Sequence, residues 1–284
     1  VHQSRAKKVK GISTAEVRAR QLSQLSADER QSLQTLRASA RPSRLPHIGL
    51  VESQVLNHAI AHVFERKSVV PEHELLSVAL SHRLGAVELD DLKGAVKHLP
   101  DLVKTERGLS TQKILATELD LIQTVNAGCD AVAPLHPGFR PADWLGEDQR
   151  RAIYHVLRTS DRITGLRGLA GSGKTTALRE LVAACKEAKI KPLFCPPTAA
   201  ATDVLRKEGF EAKTLQSLLL SKPVLSERQL IVLDEAGAVG MDDMKRLFDC
   251  ARDARIILSG DTGQHASVAR GDALRILERH SNFK

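Results

Sequence analysis

The pattern that most constrains the fold of this chain is the glycine-rich segment from residue 168 to residue 175. It reads Gly-Leu-Ala-Gly-Ser-Gly-Lys-Thr and matches G-x-x-x-x-G-K-[ST] at every fixed position. An extended apolar run precedes it and a helical pattern follows it, so the glycines lie at a strand-to-helix turn. Glycines let such a turn direct backbone N–H groups inward, and the start of the helix adds positive potential. The segment therefore predicts a phosphate-binding loop.

The side chains of this loop indicate a nucleoside triphosphate with magnesium. Lys174 places a positive charge on the β- and γ-phosphates, and Thr175 offers a hydroxyl to Mg²⁺. A dinucleotide-binding turn is excluded because the first glycine spacing is wrong and no acid ends the next strand, which closes on Pro196 and Pro197. The loop residues predicted to bind the phosphates are Gly168, Gly171, Ser172, Gly173, Lys174 and Thr175.

Polar side chains follow two further apolar runs. Asp234 and Glu235 come directly after the run at 230–233, and ligands bind at the carboxyl ends of strands in open α/β sheets. Asp234 can hold the Mg²⁺ shell, and Glu235 can polarise an attacking water. Gln264 follows the run at 254–259, where its amide could sense the γ-phosphate. The predicted catalytic residues are Lys174, Asp234, Glu235 and Gln264.

From residue 143 onward, extended apolar runs alternate with helical segments. Several runs are continuously apolar, which is typical of strands buried on both faces of a parallel sheet. We therefore predict an α/β fold, a RecA-like P-loop NTPase domain over 143–284. Its expected strands are 162–167, 190–195, 229–234 and 254–259, and its expected helices are 175–188, 199–208 and 241–253.

The preceding residues predict a small helical domain with a β-hairpin over 47–128. Short extended runs at 102–104 and 111–114 flank the turn signal at 106–108, and the pattern resembles a winged helix. Such a unit can contact DNA but is more often a packing module. The expected helices are 50–66, 71–82, 89–98 and 114–125. Residues 129–142 contain three prolines and are expected to form a linker.

Residues 1–46 are predicted to be a basic helical linker, with one helix over 13–36. Ten Lys and Arg stand against three acids in residues 1–44, so this arm holds almost all of the formal net charge of +8. Such an arm can give nucleic-acid affinity without sequence preference, or it can be a solvated linker. No apolar run approaches the roughly 20 residues of a membrane span, no secretory signal opens the chain, and the four cysteines lack C-x-x-C spacing. We expect a reduced, soluble, cytoplasmic protein without a membrane partner.

Other candidate residues favour packing over chemistry. His58 and His62 have the i, i+4 spacing of a two-histidine metal site, but no third ligand is evident. Tyr154 lies within a helical pattern, where packing is the expected role. Cys185 and Cys195 are expected to be small apolar side chains.

The order of these motifs resembles the first motor domain of RecD-like superfamily 1 DNA helicases. The matching positions are Gln149, Gly168, Gly173, Lys174, Thr175, Thr176, 197–201, 214–219, Asp234, Glu235, Gly260, Asp261 and Gln264. The resemblance implies an ATPase that unwinds DNA 5′ to 3′, with Gln149 reading adenine, Thr176 beside the phosphates, and Gln264 coupling the γ-phosphate to DNA. It also implies a single DNA strand along Pro197, Thr198 and Thr214, with His265 expected beside it.

Within that branch, the chain is most similar to the helicase portion of TraI/TrwC-type (MobF) conjugative relaxases. The resemblance implies ATP, Mg²⁺ and single-stranded DNA, and a role in plasmid DNA transfer. The chain starts at Val1 and ends about 20 residues after Gln264, so we expect a weakly active fragment. The expected missing parts are the second motor domain with its arginine finger and an upstream relaxase domain. The alternatives are a RecD-like repair helicase without a relaxase domain and a nucleotide-gated DNA-binding module without unwinding.

Overall fold

The structure is a computed structural model that describes residues 13–39, 49–166, 174–221, 225–260 and 271–284. The chain divides into two units, Val1–Leu50 and Val51–Lys284, which are described separately.

The first unit contains two helices where the sequence predicts one. They are α1 (Thr14–Ser23) and α2 (Ala27–Ser39). Each begins with a reciprocal serine–glutamate cap: Glu16 Oε2 accepts the Ser13 N–H at 2.8 Å, and Glu29 Oε2 accepts the Ser26 N–H at 2.8 Å. The expectation of a single helix over 13–36 is wrong because the second cap starts a new helix at this point.

The second unit begins with a winged-helix part, residues 51–128. Its elements are α3 (Leu50–Val63), α4 (Glu72–His82), α5 (Leu89–His98), β1 (Leu102–Thr105), β2 (Gly108–Thr111) and α6 (Gln112–Ala127). Val70, between α3 and α4, pairs with Leu109 of β2 through two backbone hydrogen bonds of 2.9 and 2.7 Å. The elements are a helix, the isolated bridge at Val70, two helices and a hairpin, as expected for a small helical unit with a hairpin. The winged-helix assignment remains a prediction.

The second strand of the hairpin lies earlier in the chain than expected. The second strand ends at Thr111, whose hydroxyl accepts the Ile114 N–H at 3.2 Å and caps α6. Residues 112–114, expected to be extended, are therefore the first turn of a helix. Gly108 has a φ of 145°, and a Cβ there would lie 2.3 Å from the Val70 carbonyl oxygen, so only glycine fits this close approach.

The remainder of the second unit is an α/β lobe, residues 143–284. Its elements are α7 (Glu147–Arg158), β3 (Ile163–Leu166), α8 (Lys174–Glu187), β4 (Lys191–Phe194), α9 (Ala199–Lys207), α10 (Leu215–Ser221), β5 (Gln229–Leu233), α11 (Met241–Cys250), β6 (Arg255–Ser259) and α12 (Ala273–His280). The described strands form one parallel sheet in the order β3-β6-β5-β4. The predicted α/β class and parallel sheet are confirmed.

Helices cover both faces of this sheet, which explains the continuously apolar strands. Leu230 and Val232 of β5 belong to the core formed with α7, α8 and α9. Ile231 and Leu233 belong to the core formed with α10, α11 and α12, and this second core continues into the winged-helix part. The two parts of the unit therefore share buried apolar side chains.

Residues 129–142, expected to be a linker, have no helix or strand but pack along the lobe. The Val132 N–H donates to the Ser160 carbonyl at 3.0 Å, and the His136 N–H donates to the Leu157 carbonyl at 3.0 Å. The Phe139 side chain is buried, and the Arg255 guanidinium donates to the Ala133 carbonyl. The division of the chain at 46, 128 and 142 remains a prediction.

Candidate nucleotide-binding site

The predicted site residues follow strands that point in one direction. Because β3 to β6 are parallel, their carboxyl ends meet at one edge of the sheet. β3 leads into the predicted phosphate loop, β5 leads into Asp234, and β6 leads into Gly260. Gly168, Gly171, Ser172 and Gly173 of that loop lie outside the described residues.

Gly260 joins the two halves of the candidate site. Its N–H donates to the Leu166 carbonyl, the last residue of β3, at 3.4 Å. A Cβ at Gly260 would lie 3.1 Å from the backbone nitrogens of both Ala236 and Gly237. Gly260 directly follows β6, the strand between β3 and β5, and it contacts both the end of β3 and the turn after Asp234.

The two acids have different exposures, and the backbone explains why. The Asp234 side chain is buried, with 8% of its surface exposed, and its Oδ1 accepts the Glu235 N–H at 3.0 Å. Glu235 is exposed and has a left-handed backbone with φ 55° and ψ 40°. Such a conformation costs about 1–2 kcal/mol for a residue with a Cβ. This strained turn directs neighbouring carboxylates to different environments, and strain of this kind is found at functional sites.

The start of α8 lies at the same edge. Lys174 is the first residue of α8, and Thr175 and Thr176 follow in its first turn with half-buried side chains. The first N–H groups of any helix have no acceptor within the helix, and together with the helix dipole they make such a terminus favourable for an anion. The buried side chains of Ala177 and Leu178 hold it against the lobe.

Gln149 lies in the first turn of α7. Its Oε1 accepts the Gly146 N–H at 3.0 Å, which caps the helix start. Because α7 precedes β3 and α8 follows it, both helices run antiparallel to that strand and start at the carboxyl edge. Gln149 therefore lies near this edge, as its predicted role requires, and the role itself remains a prediction.

The residues predicted to lie along DNA come together at the β4 end of the edge. The Thr198 hydroxyl accepts the Ala201 N–H at 3.2 Å and caps α9, and the Thr214 hydroxyl accepts the Ser217 N–H at 3.1 Å at the start of α10. The Pro196 carbonyl, next to Pro197, accepts the Leu215 N–H at 2.9 Å. The structure brings these segments into contact, at the opposite end of the sheet from β3. Gln264 and His265 lie outside the described residues.

The histidines, cysteines and tyrosine considered as alternative sites make packing contacts. The rings of His58 and His82 stack with centroids 3.6 Å apart, and burial followed by the charge of His58 lowers the pKa of His82. Among the described residues, no group of three or more His, Cys, Asp or Glu side chains is placed to hold a metal ion. Burial raises the pKa of the Cys185 and Cys195 thiols to about 12, which leaves them protonated and unreactive at neutral pH. The Arg158 guanidinium covers the Tyr154 ring at 4.0 Å.

Two features of this edge were missed from sequence. The first is α12, whose Leu274 packs beside Gly260 and borders a cavity of about 250 Å³ at the ends of β3 and β6. The apolar positions 273, 274 and 277 have helical spacing and could have revealed it. The second is Trp144, whose position five residues before Gln149 could have drawn attention to it.

Comparison with known proteins gives a family match for the lobe. Residues 144–283 match a family described as an AAA domain. The match covers just under half of the chain, and this stretch is called the AAA domain below. The match begins at Trp144 and ends within the last two residues of the chain, so the AAA domain coincides with the α/β lobe.

Relatives of known description cover the AAA domain as well. The multifunctional conjugation protein TraI of Escherichia coli strain K12 is 29% identical over 256 residues, which are 80% of this chain and 14% of TraI. A second Escherichia coli protein of the same name is 33% identical over 58% of this chain and 10% of its own length. A probable conjugal transfer protein, TraA, of Sinorhizobium fredii strain NGR234 is 31% identical over 50% of this chain and 14% of its own.

The chain thus spans at most 14% of the length of these three relatives. The matched family uses a nucleotide. Among the described residues, no helix is both long enough and apolar enough to cross a membrane.

Proposed function

We propose that the AAA domain binds ATP with Mg²⁺ and hydrolyses it as the motor of a DNA helicase. The observation that carries the proposal is the contact made through Gly260. It holds the end of β3, which leads into the phosphate loop, beside the turn that carries Asp234 and Glu235. A P-loop ATPase needs these two elements at one edge.

The residues at this edge fit a magnesium nucleotide by their donor chemistry. A threonine hydroxyl and a carboxylate are oxygen ligands, which Mg²⁺ prefers. Thr175 and Asp234 would hold the ion, which when bound neutralises charge on the phosphates. Lys174 and the loop amides of Gly168, Gly171, Ser172 and Gly173 would hold the phosphates.

Glu235 is the residue proposed to act on water. Its exposed carboxylate stands next to the buried Asp234 and can accept a proton from an attacking water. The water oxygen then bonds to the γ-phosphorus while the bond from that phosphorus to the β,γ-bridging oxygen breaks, and ADP and phosphate leave. Gln149 would select adenine, Thr176 would lie beside the phosphates, and Gln264 would respond to the γ-phosphate.

Single-stranded DNA is the proposed partner at the β4 end of the edge. Pro197, Thr198 and Thr214 lie in segments that the Pro196–Leu215 hydrogen bond ties together. β6 and β5 lie between the two ends, and apart from Gln229 their residues are buried. A change at the nucleotide end is proposed to reach the DNA end through these strands. His265 is proposed to lie beside them.

The cellular role proposed is plasmid DNA transfer, as the helicase portion of a larger conjugative relaxase. The relatives described above carry conjugation names over the same residues, which favours this role over a repair helicase without a relaxase domain. A nucleotide-gated DNA-binding module without unwinding is the remaining alternative, and it differs in having no DNA-stimulated turnover.

Steady-state hydrolysis of ATP by the full-length protein tests the proposal. We expect single-stranded DNA to raise kcat, and we expect a duplex with a 5′ single-stranded tail to be unwound. Turnover that does not respond to DNA would contradict the motor proposal and favour the gated module.

A further inference from the structure

Trp144 is a strongly exposed aromatic residue in a chain with few aromatic side chains. Of its surface, 72% is exposed, and no other aromatic residue is among the strongly exposed large hydrophobic residues of the described ranges. Exposure of an indole costs free energy, since its apolar surface remains in water. A ring kept in this position therefore suggests a ligand that covers it.

The backbone around Trp144 is fixed on both sides. On one side, the Ala142 N–H donates to Glu180 Oε1 of α8 at 2.8 Å. On the other side, the Leu145 side chain is buried, with 3% exposed, and the Gly146 N–H is held by Gln149 at 3.0 Å. The backbone that carries the indole is thus hydrogen-bonded to α7 and α8, so binding a ligand there costs little conformational entropy.

The segment that carries Trp144 contacts both helices of the proposed nucleotide site. Glu180 lies six residues after Lys174, so Ala142 is attached about 9 Å along α8 from the helix start that would hold the phosphates. Gln149, the residue proposed to read adenine, lies five residues after Trp144, in the first turn of α7. Trp144 therefore lies on the segment that links α8, whose start would hold the phosphates, to the residue that would read the base.

The charges near Trp144 favour a base over a phosphate backbone. Asp143, Glu147 and Asp148 are all exposed, and two of them are partly balanced: Asp143 lies 4.0 Å from the Arg150 guanidinium, and Asp148 pairs with Arg151. An acidic surround repels the phosphates of DNA but leaves the flat face of an uncharged base free to stack.

We propose that the indole of Trp144 stacks on the base of the bound nucleoside triphosphate. The inference rests on the proposed ATP site, and it assigns affinity and base preference to different residues. Stacking is tolerant of base identity because every base has a π-face. Trp144 therefore supplies affinity for any nucleoside triphosphate, and preference for adenine comes from the hydrogen-bonding residue Gln149.

The single tryptophan of the chain makes a direct test possible, because all indole fluorescence comes from Trp144. We expect ATP and GTP, each with Mg²⁺, to quench this fluorescence, and inorganic tripolyphosphate with Mg²⁺ to leave it unchanged. Binding of all three is measured in parallel by calorimetry. Saturating ATP that leaves the fluorescence unchanged would overturn the inference, as would quenching by single-stranded DNA in the absence of nucleotide.

Variants separate stacking from folding. Trp144→Ala is expected to weaken ATP and GTP about tenfold or more, while Trp144→Phe keeps most of the affinity. Tripolyphosphate affinity should be the same in all three proteins, which shows that the phosphate loop is intact. Leu84→Ala, which removes another exposed apolar side chain in the winged-helix part, is the matched control and should change nothing.

Each outcome assigns the failure to one proposal. If wild type binds neither ATP nor tripolyphosphate, the proposed ATP site is wrong. If wild type binds ATP and Trp144→Ala binds it equally well, the stacking inference is wrong and the ATP site stands. A Trp144→Ala protein that loses tripolyphosphate affinity as well would show a structural role and would also overturn the inference.

Discussion

The winged-helix part and the α/β lobe combine helices with strands, but they differ in what their exposed surfaces present. The lobe brings Asp234, Glu235 and the start of α8 to one sheet edge. The winged-helix part holds eight Lys and Arg against eleven Asp and Glu, although the whole chain has a formal charge of +8. Its α5, in the position that enters the major groove in DNA-binding winged helices, carries Asp90 and Asp91 in its first turn.

The difference teaches that fold alone does not give function here. An acidic helix start in the groove-reading position repels phosphates, so we expect the winged-helix part to be a packing module. Its link to the lobe supports this: Lys245 of α11 pairs with Asp120 of α6, and that hydrogen bond raises the pKa of Lys245. The two parts also share one apolar core.

The largest expected effect that separates the two parts is on turnover. Glu235→Gln should keep ATP affinity and lower kcat about 10²- to 10⁴-fold, because an amide cannot accept the proton of the attacking water. Steady-state hydrolysis in the presence of DNA measures it. Glu106→Gln, on the hairpin of the winged-helix part, is the control and should be active. Normal turnover by Glu235→Gln would show that Glu235 is not the base.

Substituting one glycine in each part compares how tightly the two parts are packed. Gly260→Ala should lower the free energy of unfolding by about 1–3 kcal/mol, because the new Cβ meets two backbone nitrogens at 3.1 Å. Gly94→Ala in α5 should raise it by about 0.5–1 kcal/mol, since nothing lies within 4 Å of the added methyl and alanine favours a helix. Urea denaturation measures both. Equal effects of the two substitutions would show that the strand ends are not in close contact.

The same comparison can be made with DNA. Lys97→Gln removes an exposed charge from the end of α5 and should leave the affinity for single-stranded DNA, and its dependence on salt, unchanged. A residue that contacts a phosphate would instead lower the salt slope by about 1. Titrations at several salt concentrations measure this slope. A reduced slope for Lys97→Gln would assign DNA contact to the winged-helix part.

The smallest expected effect concerns pH at the junction of α6 and α12. Burial raises the pKa of Glu118, with the charge of His280 acting in the opposite direction, so folding penalises the ionised carboxylate. The penalty is present above the raised pKa and disappears as the pH falls below the unfolded value. Glu118→Gln should therefore stabilise the protein by less than about 1 kcal/mol at neutral pH, and by less in acid. Thermal unfolding as a function of pH measures the gain; a gain that grows as the pH falls would contradict this account.

Much of the lobe could be predicted from the sequence because its signals are local. The apolar run of β5 and the acids after it lie together in the chain, so Asp234 and Glu235 were expected at a strand end and are found there. The order β3-β6-β5-β4 and the left-handed backbone of Glu235 could not be predicted, because they depend on contacts between distant segments. The contact of Gly260 with the turn after Asp234 belongs to the same class.

The errors in the helical regions have local causes that the sequence does contain. The serine–glutamate pair at Ser26 and Glu29 marks a second helix start, which apolar periodicity alone does not reveal. The cap at Thr111 explains why the hairpin strand ends three residues earlier than expected. Capping residues therefore deserve the same weight as periodicity when helix ends are assigned.

Calorimetric titration of ATP with Mg²⁺ into wild type and Lys174→Ala tests the central claim most directly. We expect wild type to bind ATP and Lys174→Ala to bind it about a hundredfold more weakly, because the substitution removes the positive charge that would pair with the phosphates at the start of α8. Lys186→Ala, at the other end of the same helix, should bind as wild type does. Equal affinity for wild type and Lys174→Ala would contradict the assignment of this sheet edge as the nucleotide site.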